Sequence, residues 1–259
     1  MLYALVSPAK RLDFGPLKGF KATQPALLKH TKVLAERTRK LSRAQIKRLM
    51  DISPALAQLN YERFQSFDSS NTKGTKAAIF TFAGDVYMGF QAKTLTKDDI
   101  AFAQDHVAII SGLYGLLRPL DAIQPYRLEM GSALDTERGE DLYDFWCEAV
   151  TAQLNAKTAK LKDPTVVNLA SEEYWSAIDP KKVNAPIVQA VFKELKAGKA
   201  TIVPFFAKKA RGMMARAIVA NRWQTPADMQ AFDTTGYAFD PKVSDDATMV
   251  FVRKGSNPA

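Results

Sequence analysis

VAIISGLYGLLRPLDAIQPYRLEMG, residues 107–131, is the stretch from which the fold is read. It opens as a short buried strand, VAIISG (107–112), an apolar run of strand length. The strand runs straight into SGLYGLLRPLDAIQPYRLEMG (111–131). That segment holds three glycines, two prolines, two arginines and two tyrosines, against only two acids. It is too dense in Gly and Pro for a long helix and too apolar for an idle linker. The spacing predicts a segment that leaves the strand and runs along the surface, stiffened by its prolines. Arg118 and Arg127 either point into a cleft or pair with Asp121 and Glu129 to hold the loop's shape.

Outward from this stretch, strands and helices alternate irregularly. LYALV near the N-terminus reads as a buried strand that ends in the loop SPAKRLDFGP. Residues 25–40 read as a basic amphipathic helix. LSRAQIKRLMDISPALAQLNYERFQSF reads as two helices joined at 51–54, with Ser42 capping the first and Pro54 in the first turn of the second. AAIFTF (77–82) reads as a strand, and GDVYMGF follows with a turn at Gly84-Asp85. Thr96 and Asp99 form a capping-box pattern that opens a helix ahead of residue 107. In residues 140–161, Leu142, Phe145, Trp146, Val150 and Leu154 share one helical face. TVVNLA (165–170) reads as a strand and SEEYWSAI as a helix. PIVQAVFKELKAGKATIVPFFA reads as a hairpin turning at Ala197-Gly198-Lys199, residues 207–223 as a helix, and ATMVFVRK (247–254) as a closing strand. GSNPA, at the end, is expected to fray. Without a strict βαβ rhythm, the expected architecture is α/β (mixed α+β): a single domain, 1–259, with a mixed central sheet flanked by helices.

The 259 residues are 47% hydrophobic and 24% charged, enough to bury a core without staples. The one cysteine, Cys147, excludes an internal disulfide framework and points to a reducing cytoplasm. The N-terminus lacks the pattern of a signal peptide, and no apolar run approaches the ~20 residues of a membrane helix. The net charge is +9, and it is unevenly spread. Residues 1–50 hold 12 Lys and Arg against two acids, and residues 195–227 hold seven against none. Brought together, these segments would make one field that attracts polyanions, nucleic acid first. Solubility alone accounts for the same charge.

The two histidines, His30 and His106, and the one cysteine offer no zinc spacing, and no metal or cofactor is expected. Nucleophile-elbow and phosphate-loop patterns are also missing. In the helix 207–223, Lys208, Lys209, Arg211, Arg216 and Arg222 fall within an arc of roughly 160° at the helical period, with no acid among them. That face is expected to meet phosphates. The pair of helices at about 41–66 is similar to a helix-hairpin-helix, which grips nucleic-acid backbone through the turn before its second helix. It keeps the apolar Ile52 and the later Ala57. Asp51 and Ser53 replace the two glycines of that pattern, and Asp51 would repel a phosphate. A plain pair of packed helices is the alternative reading.

Six blocks resemble the bacterial YaaA family of peroxide stress resistance proteins: SPAKRLD (7–13), GDVYMG (84–89), the central block 111–131, LYDFW (142–146), NLASEEY (168–174) and FFAKKARGMMARAIVANR (205–222). They fall in the family's order and span almost the whole chain. The resemblance implies a cytoplasmic protein that limits peroxide damage to DNA and proteins and is associated with a fall in free iron. It also implies a family-specific fold with a basic cleft, and DNA binding aided by a helix-hairpin-helix element.

The expectation is therefore a monomeric DNA-binding protein without strong sequence preference. Its proposed backbone contacts are Lys10, Lys47, Ser53, Arg118, Arg127, Lys208, Lys209, Arg211 and Arg216. The iron effect is expected to be indirect. The alternative is an enzyme acting on a nucleic-acid base or nucleotide, glycosylase- or nuclease-like. Its candidate acids are Asp85, Asp121, Glu129 and Glu172, with Asn168, Ser171 and Tyr174 beside a strand end. Glu172 and Glu173 read equally well as first-turn acids stabilising a helix.

Overall fold

All five residues of β1 (Leu2–Val6) are buried. A strand covered on both faces needs neighbours on both edges. β1 pairs in parallel with β3 (Val107–Ser111) on one side and with β6 (Thr165–Leu169) on the other. β6 continues in parallel to β7 (Ile187–Lys196), and β7 to β10 (Thr248–Lys254). Antiparallel strands finish the sheet: β4 (Gly115–Leu117) on β3, β9 (Tyr237–Phe239) on β10, and β8 (Lys199–Thr201) folded back on the end of β7. The order along the sheet is β4-β3-β1-β6-β7-β10-β9. A separate antiparallel ladder joins β2 (Lys76–Ala77) to β5 (Ala122–Ile123). This computed structural model describes residues 1–17, 19–70, 74–196 and 198–254.

Helices flank the sheet. α1 (Leu28–Arg39), α2 (Arg43–Met50) and α3 (Pro54–Ser66) precede the β2–β5 ladder and pack on one another. α4 (Ala78–Thr81) and α5 (Asp85–Phe90) follow, then α6 (Lys97–His106), which packs on β1 and β3. α7 (Leu142–Thr158) packs on β4 and buries the face expected for it, Trp146 at its centre. α8 (Glu172–Trp175) follows β6. α9 (Pro204–Ala220) packs on α5, α6, β1, β6 and β7, and α10 (Pro226–Met229) comes last. Among the described residues, no helix is long and apolar enough to cross a membrane.

The direction of α9 matters for the site. Arg253, at the end of β10, stacks over Phe206 in the first turn of α9, 4.3 Å from the ring centre. Arg222, just past the last turn, pairs with Asp99 at 2.9 Å and lies over Phe102, both in α6, which leads into the amino end of β3. α9 therefore runs against the parallel strands, and its N-terminal half lies toward their carboxyl ends.

Local chemistry explains most boundaries. Ser42 and Gln45 form a full capping box on α2, and Thr96 and Asp99 form one on α6. Pro54 opens α3, as expected. The basic helix expected over 25–40 starts later, at Leu28, because residues 25–27 turn first and no side chain caps the start.

Three expectations are corrected. AAIFTF is not a strand: after Ala77 the chain coils into α4, where Phe82 N–H bonds to Ala78 O at 3.0 Å and Thr81 Oγ to Ala77 O at 2.8 Å. A short apolar run buried on every side carries no period to separate strand from helix. GDVYMGF likewise forms α5 rather than a turn alone. Residues 111–131 do not run along the surface. Leu113, Leu117, Leu128 and Met130 are buried, and the segment contributes β4 and β5. Gly115 turns it at φ 71°, where a side chain would strike the Trp146 ring. The hairpin of β7 and β8 is present, but Pro204 opens α9 and stops β8 at Thr201. Ala197 of its expected turn, and GSNPA (255–259), lie outside the described residues.

Candidate functional site

The parallel strands lie in the order β3-β1-β6-β7-β10. From β1 the chain goes on to β3 on one side; from β6 it goes on to β7 on the other. The loops after β1 and β6 thus diverge. In open α/β sheets, ligands bind in the crevice left by such a divergence, outside the carboxyl ends of the strands.

Ser7 is the first residue after β1, and Ser171 is the second residue after β6. The Ser171 backbone N–H donates to Ser7 Oγ at 2.8 Å, and the two hydroxyls are 3.2 Å apart. Buried Asn168 turns the chain here by accepting the Ala170 N–H at 2.9 Å. The α5 helix closes over the same loop: Tyr87 OH donates to Ser7 O at 3.0 Å, and Arg11 Nε donates to Ala83 O at 2.8 Å. A side chain on Gly84 would sit 2.9 Å from Ala9 Cβ, so the start of α5 is pressed onto the loop.

The segment 126–131 forms the opposite wall. Tyr126 OH and Ser111 Oγ share a 2.6 Å hydrogen bond at the end of β3. Arg127 donates twice to Glu129 Oε1, at 3.0 and 2.8 Å, while Lys10 Nζ lies 2.7 Å from Glu129 Oε2. Glu173 Oε1 accepts the Gly131 N–H at 3.3 Å. Between these groups is a small pocket lined by Pro8, Ala9, Lys10, Tyr126, Glu129 and Tyr174, among others. Burial pushes the Tyr87, Tyr126 and Tyr174 hydroxyls above the usual tyrosine range, so they remain protonated. Lys10 and Arg127 are the cations of the lining and Glu129 its carboxylate, with the Glu173 carboxylate beside it at Gly131.

The expected contact residues divide into separate groups. Lys10 and Arg127 share Glu129. Arg118 does not face a cleft freely: it pairs with fully buried Asp121 at 2.8 Å and donates to Gln24 O at 3.2 Å. Of the two roles open to Arg118 and Arg127 in the sequence, the geometry has both in pairs that hold the loop. Arg216 donates to the carbonyls of Phe90 and Gln91, capping the end of α5. Lys47 and Lys208 are exposed, and neither side chain has an ionic partner among the described residues. Lys209 is half-buried and lines a recess with Phe205, Phe206 and Arg253. Ser53 caps α3 by accepting the Leu56 N–H at 3.3 Å.

The uniform cationic face expected on residues 207–223 is corrected. Besides Arg216, Arg222 is held by Asp99. Arg211 lies four residues from buried Ala207 and from buried Ala215, so its stem belongs to the inward stripe. Its guanidinium is half-buried, with no hydrogen bond or ion pair among the described residues, and burial holds its pKa below the usual arginine range.

The four acids do not form one site. Asp121 is taken by Arg118 and by Thr23 Oγ1 at 2.7 Å. Glu129 is taken by Lys10 and Arg127. Asp85 begins α5, and Glu172 is exposed in the first turn of α8. Among the described residues, no group of three His, Cys, Asp or Glu is placed to hold a metal ion. Sequence reasoning found Asn168, Ser171 and Tyr174 but not Ser7, Tyr87, Ser111 or Tyr126. The signal for Ser7 and Ser111 was position: each lies at the end of an apolar strand, where α/β sheets place their sites.

The fold defines a mixed α/β protein in which the loops after β1 and β6 part at the carboxyl ends of the strands. A family model described as peroxide stress protein YaaA matches residues 1–243. The chain belongs to that family, which connects it with the peroxide stress response.

Proposed function

We propose that the protein serves the peroxide response by binding nucleic acid along its phosphate backbone, without strong sequence preference. The observation that carries this reading is a pair of exposed lysines with no ionic partner among the described residues, Lys47 on α2 and Lys208 on α9, with Lys209 beside the latter. They stand in segments with few or no acids, so an approaching phosphate meets little repulsion. The turn between α2 and α3 contributes through Lys47 more than through backbone amides. Pro54 has no N–H, and Ser53 already satisfies that of Leu56. Bound in this way, the protein shields DNA, and any fall in free iron follows indirectly. An enzyme acting on a base is the second reading; the dispersed acids favour binding over it. Duplex binding measured against salt tests the proposal: a Lys47→Gln/Lys208→Gln/Lys209→Gln variant loses affinity and salt dependence together. An affinity and a slope equal to wild type would rule out these contacts.

A further inference from the structure

We infer that Phe205, in the first turn of α9, is a stacking platform for an unpaired base of single-stranded nucleic acid. The inference rests on the nucleic-acid reading above and adds to it a contact that an intact duplex cannot make.

The apolar surface supplies the first reason. Phe205 lines the recess that it shares with Phe206, Lys209, Met213, Tyr237 and Arg253, yet it stays 53% exposed. Ile202, three residues earlier, is 54% exposed, so this is more than one stray apolar side chain. The Phe205 and Phe206 rings meet edge to face, 5.4 Å apart, which orients the exposed ring. Behind them the recess is fixed. The Arg253 guanidinium lies over the rings of Phe206 and Tyr237, at 4.3 and 5.1 Å. Its Nε and Nη2 hold Glu194 Oε2 at 2.9 and 2.8 Å, and Tyr237 OH donates to the other oxygen. The Glu194 carboxylate is thus neutralised by Arg253.

Charge supplies the second. Lys209 lines the same recess, the neighbouring Lys208 is exposed, and residues 195–227 hold no acid. Surfaces that bind single strands combine cations for the phosphates with aromatic rings for the bases. Protein–protein interfaces are instead depleted in lysine. Asp233, exposed two residues before the lining Thr235, repels phosphate and so directs the strand's backbone toward α9.

Size and shape narrow the occupant. The recess holds only about 70 Å³, too little to enclose a free nucleotide, so the base lies across it as part of a strand. In a duplex the faces of a base are stacked on its neighbours. Only an unpaired base has a face free to meet Phe205.

The test is fluorescence anisotropy of the full chain with oligothymidylate, with an abasic oligonucleotide of the same length, and with a duplex. The expected result is tighter binding to oligothymidylate than to the abasic strand. Phe205→Ala weakens oligothymidylate binding about tenfold, the loss of one stacked base, and leaves the salt slope unchanged because no phosphate contact is lost. Phe205→Trp, which keeps a ring, binds at least as well as wild type. Because Phe205 is exposed, both variants should melt as wild type does. Equal affinity for the oligothymidylate and abasic strands, or an oligothymidylate affinity that Phe205→Ala leaves unchanged, would overturn the inference. Self-association that Phe205→Ala abolishes at unchanged oligothymidylate affinity would overturn it too, by assigning the surface to a second copy of the chain. Lysine-dependent duplex binding with no effect of Phe205 on oligothymidylate sinks only this inference. Base-dependent binding that is lost in Phe205→Ala but untouched in Lys47→Gln/Lys208→Gln/Lys209→Gln upholds the stacking and sinks the lysine contacts.

Discussion

Gly89 and Gly212 bring α5 and α9 together backbone to backbone. A methyl group on Gly212 would lie 1.7 Å from Val86 O, and one on Gly89 would lie 2.1 Å from Lys209 O. Neither carbonyl can move without breaking its helix. α5 also holds the loop after β1 through Tyr87, so this contact ties α9 to the crevice. Gly212→Ala is expected to destabilise the protein by about 3 kcal/mol or more, at the upper end for overpacking. Urea unfolding of both alanine variants measures it. A loss under 1 kcal/mol would mean the helices separate easily.

Arg118 and Asp121 make the second testable pair. Asp121 is fully buried, and Arg118 covers it with two hydrogen bonds, at 3.1 and 2.8 Å. Removing one partner of a buried pair strands the other, at roughly 3–5 kcal/mol. Arg118→Ala should lose stability of that order while leaving the salt slope of duplex binding unchanged. A stable variant with a flatter slope would instead make Arg118 a phosphate contact.

Acid should weaken the fold through a buried histidine. His106 is buried, its Nδ1 bonded to Phe102 O at 2.9 Å and its Nε2 without a partner. Burial holds its pKa below the ordinary 6.5, against the opposing hydrogen bond to Phe102 and the charge of Asp105. The unfolded chain therefore takes up the proton more readily. The stability that follows is complete above about pH 6.5 and falls as the pH drops through that value. His30, also lowered by burial and then by Arg138, adds to the same trend. Asp13, held at about 2 by Lys93 and the Gly15 N–H, titrates well below this window. Stability measured from pH 7.5 to 5.5 should fall in wild type and fall less in His106→Phe. Parallel curves would exclude His106.

Much of the sheet could be read from the chain, because β1, β3 and β6 are apolar runs of strand length. The helices with side-chain caps were legible for the same local reason: Ser42, Thr96 and Pro54 each announce a start. α4 and α5 were not, since burial on all sides removes the period that separates helix from strand. The interior course of residues 111–131 was hidden as well. Its prolines and glycines signal a loop, while the burial of Leu128 and Met130 is set by how the segment folds back on the core, which local sequence does not show. The site was half legible. Asn168, Ser171 and Tyr174 were visible at a strand end, and Asp121 and Glu129 were among the roles the sequence left open for Arg118 and Arg127; the Phe90 and Gln91 carbonyls that hold Arg216 are set by folding and cannot be read from charge alone.

The turn at Asp51 offers a direct probe of the paired helices. Asp51 sits at φ 45°, in the left-handed region that favours glycine. Asp51→Gly relieves that conformation but adds freedom to the unfolded chain, so stability should stay within about 1 kcal/mol of wild type. The same change removes the one acid at the turn, and duplex affinity should rise. Unchanged affinity in a stable variant would place nucleic acid away from this turn.

The central claim is that Lys47, Lys208 and Lys209 meet phosphate. Duplex affinity measured from low to moderate salt, for wild type and the triple glutamine variant, tests it most directly. Each lost contact lowers the log–log slope by about 0.9, so the account predicts a slope shallower by between 2 and 3, roughly, with weaker binding at every salt concentration. A variant whose slope and affinity match wild type would contradict it.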